Sequence, residues 1–176
     1  SVMLQAAGKV IYIDPAEAPR IWNELLAAGK AMGLKPCGLG ARNTLRLEAG
    51  MMLNGQDMDE TVSPLEVPYG WIVDEQKEFI GKAALMAKKK SGITRKLVGI
   101  EVTGRGIARH GYKIFKNERE VGVITSGTFS PTLNKAIAMG FVDIVCSAPG
   151  TPLEIAIRES MAEAKVVELP FYKRLK

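Results

Sequence analysis

The sequence contains one histidine and two cysteines, which is too few for several kinds of site. A structural zinc ion takes four ligands, chiefly Cys and His, and His110, Cys37 and Cys146 cannot supply them by themselves. Two cysteines in a chain of 176 residues do not make a disulfide framework either. The cysteine usage therefore predicts a reducing compartment: the cytoplasm of a bacterium or archaeon, or the mitochondrial matrix of a eukaryote.

Long apolar runs are also missing. No stretch reaches the roughly 18 apolar residues that a membrane-spanning helix needs. The opening residues, SVMLQAAGKV, lack the basic segment and apolar core of a signal peptide. The sequence therefore predicts neither a membrane span nor a signal peptide.

Two common ligand-binding motifs are incomplete. Gly38 and Gly40 have the spacing of a dinucleotide-binding loop, but Asn43 stands where the third glycine would be, and no clear strand precedes the loop. A calcium loop that starts at Asp57 would need glycine at its sixth position, which is Val62. We expect neither site, and we interpret the acidic stretch 57–60 as a solvated turn.

The composition that is present is that of a globular protein, with 47% hydrophobic and 24% charged residues. The length suits one ordinary domain or two small ones. Residues 1–91 carry equal numbers of basic and acidic side chains, so residues 92–176 supply the whole net charge of +5. These basic residues are scattered and lack a stacking-aromatic pattern. We therefore expect an acidic protein partner or a polyanionic cofactor tail rather than nucleic acid.

The N-terminal segment reads as a strand followed by a helix. Val10–Ile13 is apolar and β-branched, and Asp14 and Glu17 suit the start of a helix with a capping box that ends near Gly29. We expect Trp22 on the apolar face of this helix to be a core residue. A lone strand is not stable, so the other strands of its sheet should come from elsewhere.

The stretch from Pro36 to Glu66 has the densest run of small, charged and turn-forming residues. It predicts a helix over 41–49 that ends at Gly50, and then a turn at 54–57. Arg42 and Arg46 are four residues apart and share one helix face, where they could clamp a carboxylate or phosphate. The alternative is that both are solvated or tied to a local carboxylate such as Glu48.

Three patterns lead to a second domain. Tyr69–Val73 predicts a strand, and Glu78–Lys90 predicts a helix whose last lysines complement the helix dipole. Ser91-Gly92 breaks the chain, and we place the domain boundary there, between residues 1–91 and 92–176.

After Gly92, apolar residues recur at every second position, as in β-strands. Strands are predicted over 96–102, 112–115, 121–126, 136–145, 153–158 and 162–169. The fold class is therefore α+β, with a partial α/β domain followed by a small antiparallel β-barrel.

The hydroxyl-rich segment Ser126–Pro131 has two interpretations. It is either a turn at a barrel corner or part of a ligand site, because functional loops sit on rigid scaffolds. A Ser-His-Asp triad is not expected, since His110 lies in a basic turn and no G-x-S-x-G elbow exists.

Two long motifs resemble one protein family. GLGARNTLRLEAGMMLNGQDMDETVSPLEV is similar to the central segment of the glycine cleavage system T-protein, an aminomethyltransferase, and VGVITSGTFSPTLNKAIAM is similar to its C-terminal domain. The resemblance runs from about Ile11 to Tyr172, and it covers only the second half of the family's chain. It also implies a β-barrel at the C-terminal end.

The resemblance implies an enzyme that transfers a methylene group from an aminomethyl-lipoyl carrier (H-type) protein to tetrahydrofolate and releases ammonia. The family's catalytic aspartate lies in its N-terminal half, and no residue here matches it. The implied partner is therefore a separate N-terminal half, or another copy in a homo-oligomer, and we expect this chain alone to be inactive. No catalytic residue is assigned.

The resemblance also implies binding residues. Arg42 matches the arginine of a G-A-R-D motif that meets the folate, with Asn43 in place of its aspartate. Tyr172 resembles a C-terminal tyrosine of the substrate pocket, and Arg109 matches a basic residue of a barrel turn. Met51 and Asn54 stand where relatives carry tyrosines.

One further departure concerns the pterin end of the site. Val10 stands where the family has a pterin-binding glutamate. A valine cannot accept hydrogen bonds from a pterin ring. The alternative function is therefore a non-catalytic folate-binding or scaffold protein.

Overall fold

The computed structural model describes residues 2–6 and 9–173, and the chain divides into two compact units, Ser1–Ala41 and Arg42–Lys176. The first unit contains an antiparallel hairpin of β1 (Val2–Ala6) and β2 (Lys9–Ile13). The strand predicted at 10–13 is thus confirmed. The expectation that its partner strands come from elsewhere is wrong for β1, which pairs with it from within this chain.

Helix α1 (Ala18–Gly29) follows a short 3-10 helix, which Asp14 caps by accepting a 2.8 Å hydrogen bond from the Ala16 amide. The carboxylate of Glu17 pairs with Arg20 and does not close the predicted capping box. Trp22 is 40% exposed, so its assignment to a core is wrong. The reason is the size of the unit, since one hairpin and one helix cannot enclose an indole ring.

Helix α2 (Leu39–Glu48) confirms the helix predicted over 41–49. Gly50 has φ +67° and ends it, and the Met51 amide donates back to the Arg46 carbonyl over 2.8 Å, as in a Schellman motif. Helix α3 (Lys82–Ser91) begins later than predicted, because Gly81, with φ +92°, is not helical.

The strand predicted at Tyr69–Val73 is wrong. Gly70–Ile72 forms a 3-10 helix, in which the amides of Ile72 and Val73 donate to carbonyls three residues back. A short apolar run is compatible with either a strand or a 3-10 helix. Within the described residues, no strand pairs with segment 69–73.

The rest of the second unit is a closed antiparallel barrel with strand order β3-β6-β5-β4-β7-β8, which confirms the predicted barrel. Its strands are β3 (Arg95–Val102), β4 (Lys113–Lys116), β5 (Arg119–Ser130), β6 (Lys135–Asp143), β7 (Pro152–Ile157) and β8 (Ser160–Val167). In the part of the chain that the structure describes, no helix has the length and apolarity of a membrane span.

The barrel has an inner and an outer apolar core. The inner core contains Val98, Ile100 and alternate residues of the other strands. The outer core joins Leu47 of α2 to Leu97 and Met139 of β3 and β6, so these two strands are buried on both faces. Segment 42–91 therefore packs on the barrel. The domain boundary at residues 91 and 92 stays a prediction.

Candidate functional site

The guanidinium of Arg46 is fully used inside the protein. Its five N–H groups meet the Asn43 side-chain oxygen, Ser126 Oγ, Asp57 Oδ2 and the Met51 carbonyl, at 2.5 to 3.3 Å. The side chain is 10% exposed. Arg46 is thus an anchor that fixes α2 on the barrel.

Asp57 completes this anchor, and its assignment to a solvated turn is wrong. It is 0% exposed, and Oδ2 accepts from Arg46 Nη1 at 2.5 Å and from the Leu53 amide at 2.8 Å. Its other oxygen accepts from the hydroxyl of Thr125. Thr125 lies where the register of β5 against β6 shifts, and such a bulge re-aims a side chain. The predicted turn at 54–57 is confirmed, but its last residue points inward.

A second anchor lies two residues further along, at the last residue of the helix. Glu48 is 3% exposed, and its carboxylate accepts hydrogen bonds from Ser130 Oγ and Thr132 Oγ1 at 2.5 and 3.0 Å. Ser126 and Ser130 both belong to β5, so the proposed corner turn is wrong. Sequence reasoning noticed both serines but missed their partners, which lie about 80 residues away.

Arg42 differs from Arg46. It lies near the start of α2, is exposed, and has no ion pair or side-chain hydrogen bond with any residue that the structure describes. The two-arginine clamp is therefore not assembled, because one arginine is internal. Arg42 is the cation of this helix that a ligand can reach.

An apolar cavity of about 480 Å³ begins just after the end of α2. Met51, Asn54 and Tyr69 are among its lining residues, and the others are Met52, Met58, Asp59, Val62, Pro64, Val67, Ile72 and Val73. Volumes of roughly 300–1,000 Å³ and mostly apolar walls are usual for small-molecule sites. Met51 and Asn54, both singled out in the sequence analysis, thus line a cavity of suitable size.

Tyr172 and Arg109 lie at different places. The Tyr172 amide donates to the Glu48 carbonyl over 2.9 Å, which puts its backbone at the end of α2, and the residue is 44% exposed. Arg109 donates from Nη1 to the Gly127 carbonyl at 3.1 Å and lines another cavity, of about 830 Å³, with Arg105 and Arg158. The structure thus brings Tyr172 to α2, whereas Arg109 belongs to a separate basic cavity.

His110 is exposed, and its Nδ1 lies 2.9 Å from the Thr125 carbonyl. A carbonyl only accepts, so this nitrogen carries the proton. The histidine is thus a loop residue that ties the turn to β5, as the sequence predicts.

Glu66 connects three segments of the second unit. It is 3% exposed and accepts from the Ser63 amide at 3.0 Å, Lys88 Nζ at 3.0 Å and Arg95 Nε at 3.5 Å. Burial raises the pKa of this carboxyl, but the Ser63, Lys88 and Arg95 contacts outweigh burial and leave the pKa below its ordinary value. The group therefore stays ionised and holds α3 and β3 together.

The described residues contain no group of three His, Cys, Asp or Glu side chains arranged to hold a metal ion.

Comparisons with known proteins match both parts of the chain. The family model described as the glycine cleavage T-protein C-terminal barrel domain matches residues 95–173, and that of the GCVT N-terminal domain matches residues 8–77. The aminomethyltransferase of Thermosynechococcus vestitus is 52% identical over 162 residues, which are 91% of this chain and 43% of the relative. That of Bacillus subtilis is 46% identical over 169 residues, 95% of this chain and 47% of the relative.

A solved structure agrees. The crystal structure of glycine cleavage system aminomethyltransferase T from Bartonella henselae superposes with a TM-score of 0.80 at 31% identity, over 89% of this chain and 44% of that one. The chain thus spans a little less than half the length of the relatives it matches. On this evidence, the chain belongs to the glycine cleavage T-protein family.

Proposed function

We propose that the chain supplies part of an aminomethyltransferase site that transfers a methylene group from an aminomethyl-lipoyl carrier protein to tetrahydrofolate and releases ammonia. The methylene exchanges its bonds to sulfur and nitrogen for bonds to the folate, so the reaction needs no oxidant. The proposed folate-binding residues are Arg42 and Tyr172 at α2, while Arg109, which lines the separate basic cavity, is proposed on the resemblance alone.

The observation that carries this proposal is the contrast on α2. Arg46 and Glu48 are internal anchors, and they hold the helix so that Arg42 remains exposed in a fixed place. An exposed guanidinium on an anchored helix, with no internal partner, can pair with a carboxylate, such as those of the glutamate end of folate.

The residues present fit two parts of tetrahydrofolate. The cavity that begins at Met51 is mostly apolar and suits flat rings, while Asn54 and Asp59 offer polar contacts. Arg42 suits the anionic end. No residue of this chain is assigned the family's catalytic aspartate, so we infer that turnover also needs the N-terminal part of the family fold.

Reconstitution tests the proposal. The 176-residue chain is mixed with the N-terminal half of the Bacillus subtilis relative, and ammonia release is followed with an aminomethyl-lipoyl carrier and tetrahydrofolate. We expect turnover from the mixture and none from either part alone. A well-folded mixture without turnover would contradict the proposal, as would methylene-folate production by this chain alone.

The second candidate is a non-catalytic folate-binding or scaffold protein. Val10 in place of the family glutamate favours it, as do Met51 and Asn54 in the cavity wall. Calorimetry with tetrahydrofolate separates the candidates. Micromolar binding that Arg42→Ala abolishes, without turnover in the mixture, supports a binding protein, whereas no binding leaves only a scaffold.

A further inference from the structure

Asp57 changes the charge that α2 presents to a ligand. Arg42 and Arg46 share one helix face, and side chains at this spacing have Cβ atoms about 6 Å apart. Two such guanidinium groups could hold a polyanion between them. Asp57 pairs with Arg46 at 2.5 Å and is itself 0% exposed, so the pair contributes no net charge.

The pair is also fixed in place. For Arg46 to turn towards a ligand it would have to leave Asp57, Asn43 and Ser126 together. Asp57 is held in turn by the Leu53 amide and by the hydroxyl of Thr125. A buried charge is screened weakly, so removing the carboxylate would leave a positive charge within reach of the Arg42 site.

We propose that Asp57 is a specificity-determining residue, because by neutralising and holding Arg46 it leaves Arg42 as the single cationic contact of α2. The helix then binds one carboxylate through Arg42 and does not clamp a polyanion between two arginines. This rests on the proposed function for the role of Arg42. The effect of Asp57 on the charge of α2 can be tested without folate.

The test uses inorganic tripolyphosphate as the probe and calorimetry as the measurement, at low temperature and at two salt concentrations. We expect Asp57→Asn to bind tripolyphosphate about tenfold more tightly than the wild type at low salt, and less so at high salt. Arg42→Ala in the same variant should cancel the gain. Equal binding by wild type and a folded Asp57→Asn would overturn the proposal, as would a gain that survives Arg42→Ala.

A second variant covers the case in which Asp57→Asn does not fold. Replacing both partners, Arg46→Met with Asp57→Leu, removes the pair without leaving a buried charge. Its tripolyphosphate affinity should equal that of the wild type, because Arg46 is already neutralised there. Weaker binding would show that Arg46 acts as a ligand contact and would overturn the proposal.

The proposed function is tested separately. Tetrahydrofolate binding that does not depend on Arg42 would contradict that function and would leave the tripolyphosphate results unaffected. Conversely, folate binding that depends on Arg42, with no effect of Asp57→Asn on tripolyphosphate, would overturn only the present inference.

Discussion

Glu48 of α2 and Ser130 of β5 share a buried hydrogen bond of 2.5 Å across 82 residues of sequence. Glu48→Ala should destabilise the protein by about 3 kcal/mol, because it removes the acceptor of Ser130 and Thr132 and leaves a buried hydroxyl unsatisfied. Urea unfolding measures the change.

Matched variants show whether the hydrogen bonds are responsible. Glu48→Gln keeps one acceptor oxygen and should lose less than Glu48→Ala. Glu60→Ala removes an exposed carboxylate of the same unit and should change the free energy of unfolding by less than about 0.5 kcal/mol. If Glu48→Ala lowers the free energy of unfolding no more than Glu60→Ala does, the hydrogen bonds of Glu48 contribute little to stability.

Gly50 should tolerate alanine less well than Gly55, although both have positive φ, at +67° and +83°. A Cβ on Gly50 would lie 3.3 Å from the Pro170 Cα and 3.4 Å from Leu169, whereas a Cβ on Gly55 meets nothing within 4 Å. Gly55→Ala should cost about 1 kcal/mol for the left-handed backbone. Gly50→Ala should cost more, because the C-terminal segment must also shift. If urea unfolding shows equal losses of stability for the two variants, Leu169 and Pro170 do not crowd a side chain at position 50.

The barrel was predictable because its signals are local. Alternating apolar residues give the strands, and the polar pair Asn117-Glu118 gives a tight turn. The helix at α2 was predictable for the same reason, since Gly50 marks its end. The short run at Tyr69–Val73 failed, because five apolar and aromatic residues do not distinguish a strand from a 3-10 helix.

The anchors of the candidate site could not be predicted from the sequence. Arg42 and Arg46 are both arginines on the same helix face, and only the tertiary fold brings Asp57 and Ser126 to Arg46 alone. Thr125 then holds Asp57 in place. A one-residue bulge in β5 decides where Thr125 points. No short-range pattern carries that information.

The protein should lose stability in acid partly through Glu66. Its pKa in the folded protein lies below the ordinary value of 4.5, because its contacts with Ser63, Lys88 and Arg95 outweigh its burial. This stabilisation is therefore present above the unfolded pKa and is lost as the pH falls through the lower folded pKa. Glu66→Gln should be clearly less stable than the wild type at pH 7, and the difference should shrink below about pH 4.5.

Urea unfolding across this pH range measures the difference. Lys88→Met removes one of the partners and should reduce the same pH-dependent part. A constant difference between wild type and Glu66→Gln from pH 7 to below the folded pKa would contradict the assignment.

Arg42→Ala should weaken tetrahydrofolate binding by about tenfold or more, which corresponds to the loss of one charge-assisted hydrogen-bonded contact. The folded state should be unaffected, since the side chain is exposed. Arg119→Ala is the matched control, because it removes an arginine that pairs with Asp143 on the barrel surface. Calorimetry measures both. Equal tetrahydrofolate affinities of the two variants would show that Arg42 does not bind the folate.

The turn between β4 and β5 offers a stabilising substitution. Asn117 and Glu118 have φ of +50° and +64°, and Lys116 pairs with Arg119, as a two-residue type I′ turn requires. Asparagine followed by glycine is the preferred pair for this turn, while a glutamate there is strained. Glu118→Gly should raise the free energy of unfolding by about 0.5–1 kcal/mol, because the relief of strain exceeds the added flexibility of the unfolded chain.

Glu120→Gly gives the opposite test one step into the strand. Glu120 of β5 pairs with Phe115 of β4, its carboxylate accepts from Lys113 Nζ at 2.6 Å, and its backbone is extended. Glycine there gains nothing from positive φ and weakens the strand, so stability should fall by about 1 kcal/mol. If Glu118→Gly lowers the free energy of unfolding as Glu120→Gly does, the left-handed backbone at Glu118 is not a source of strain.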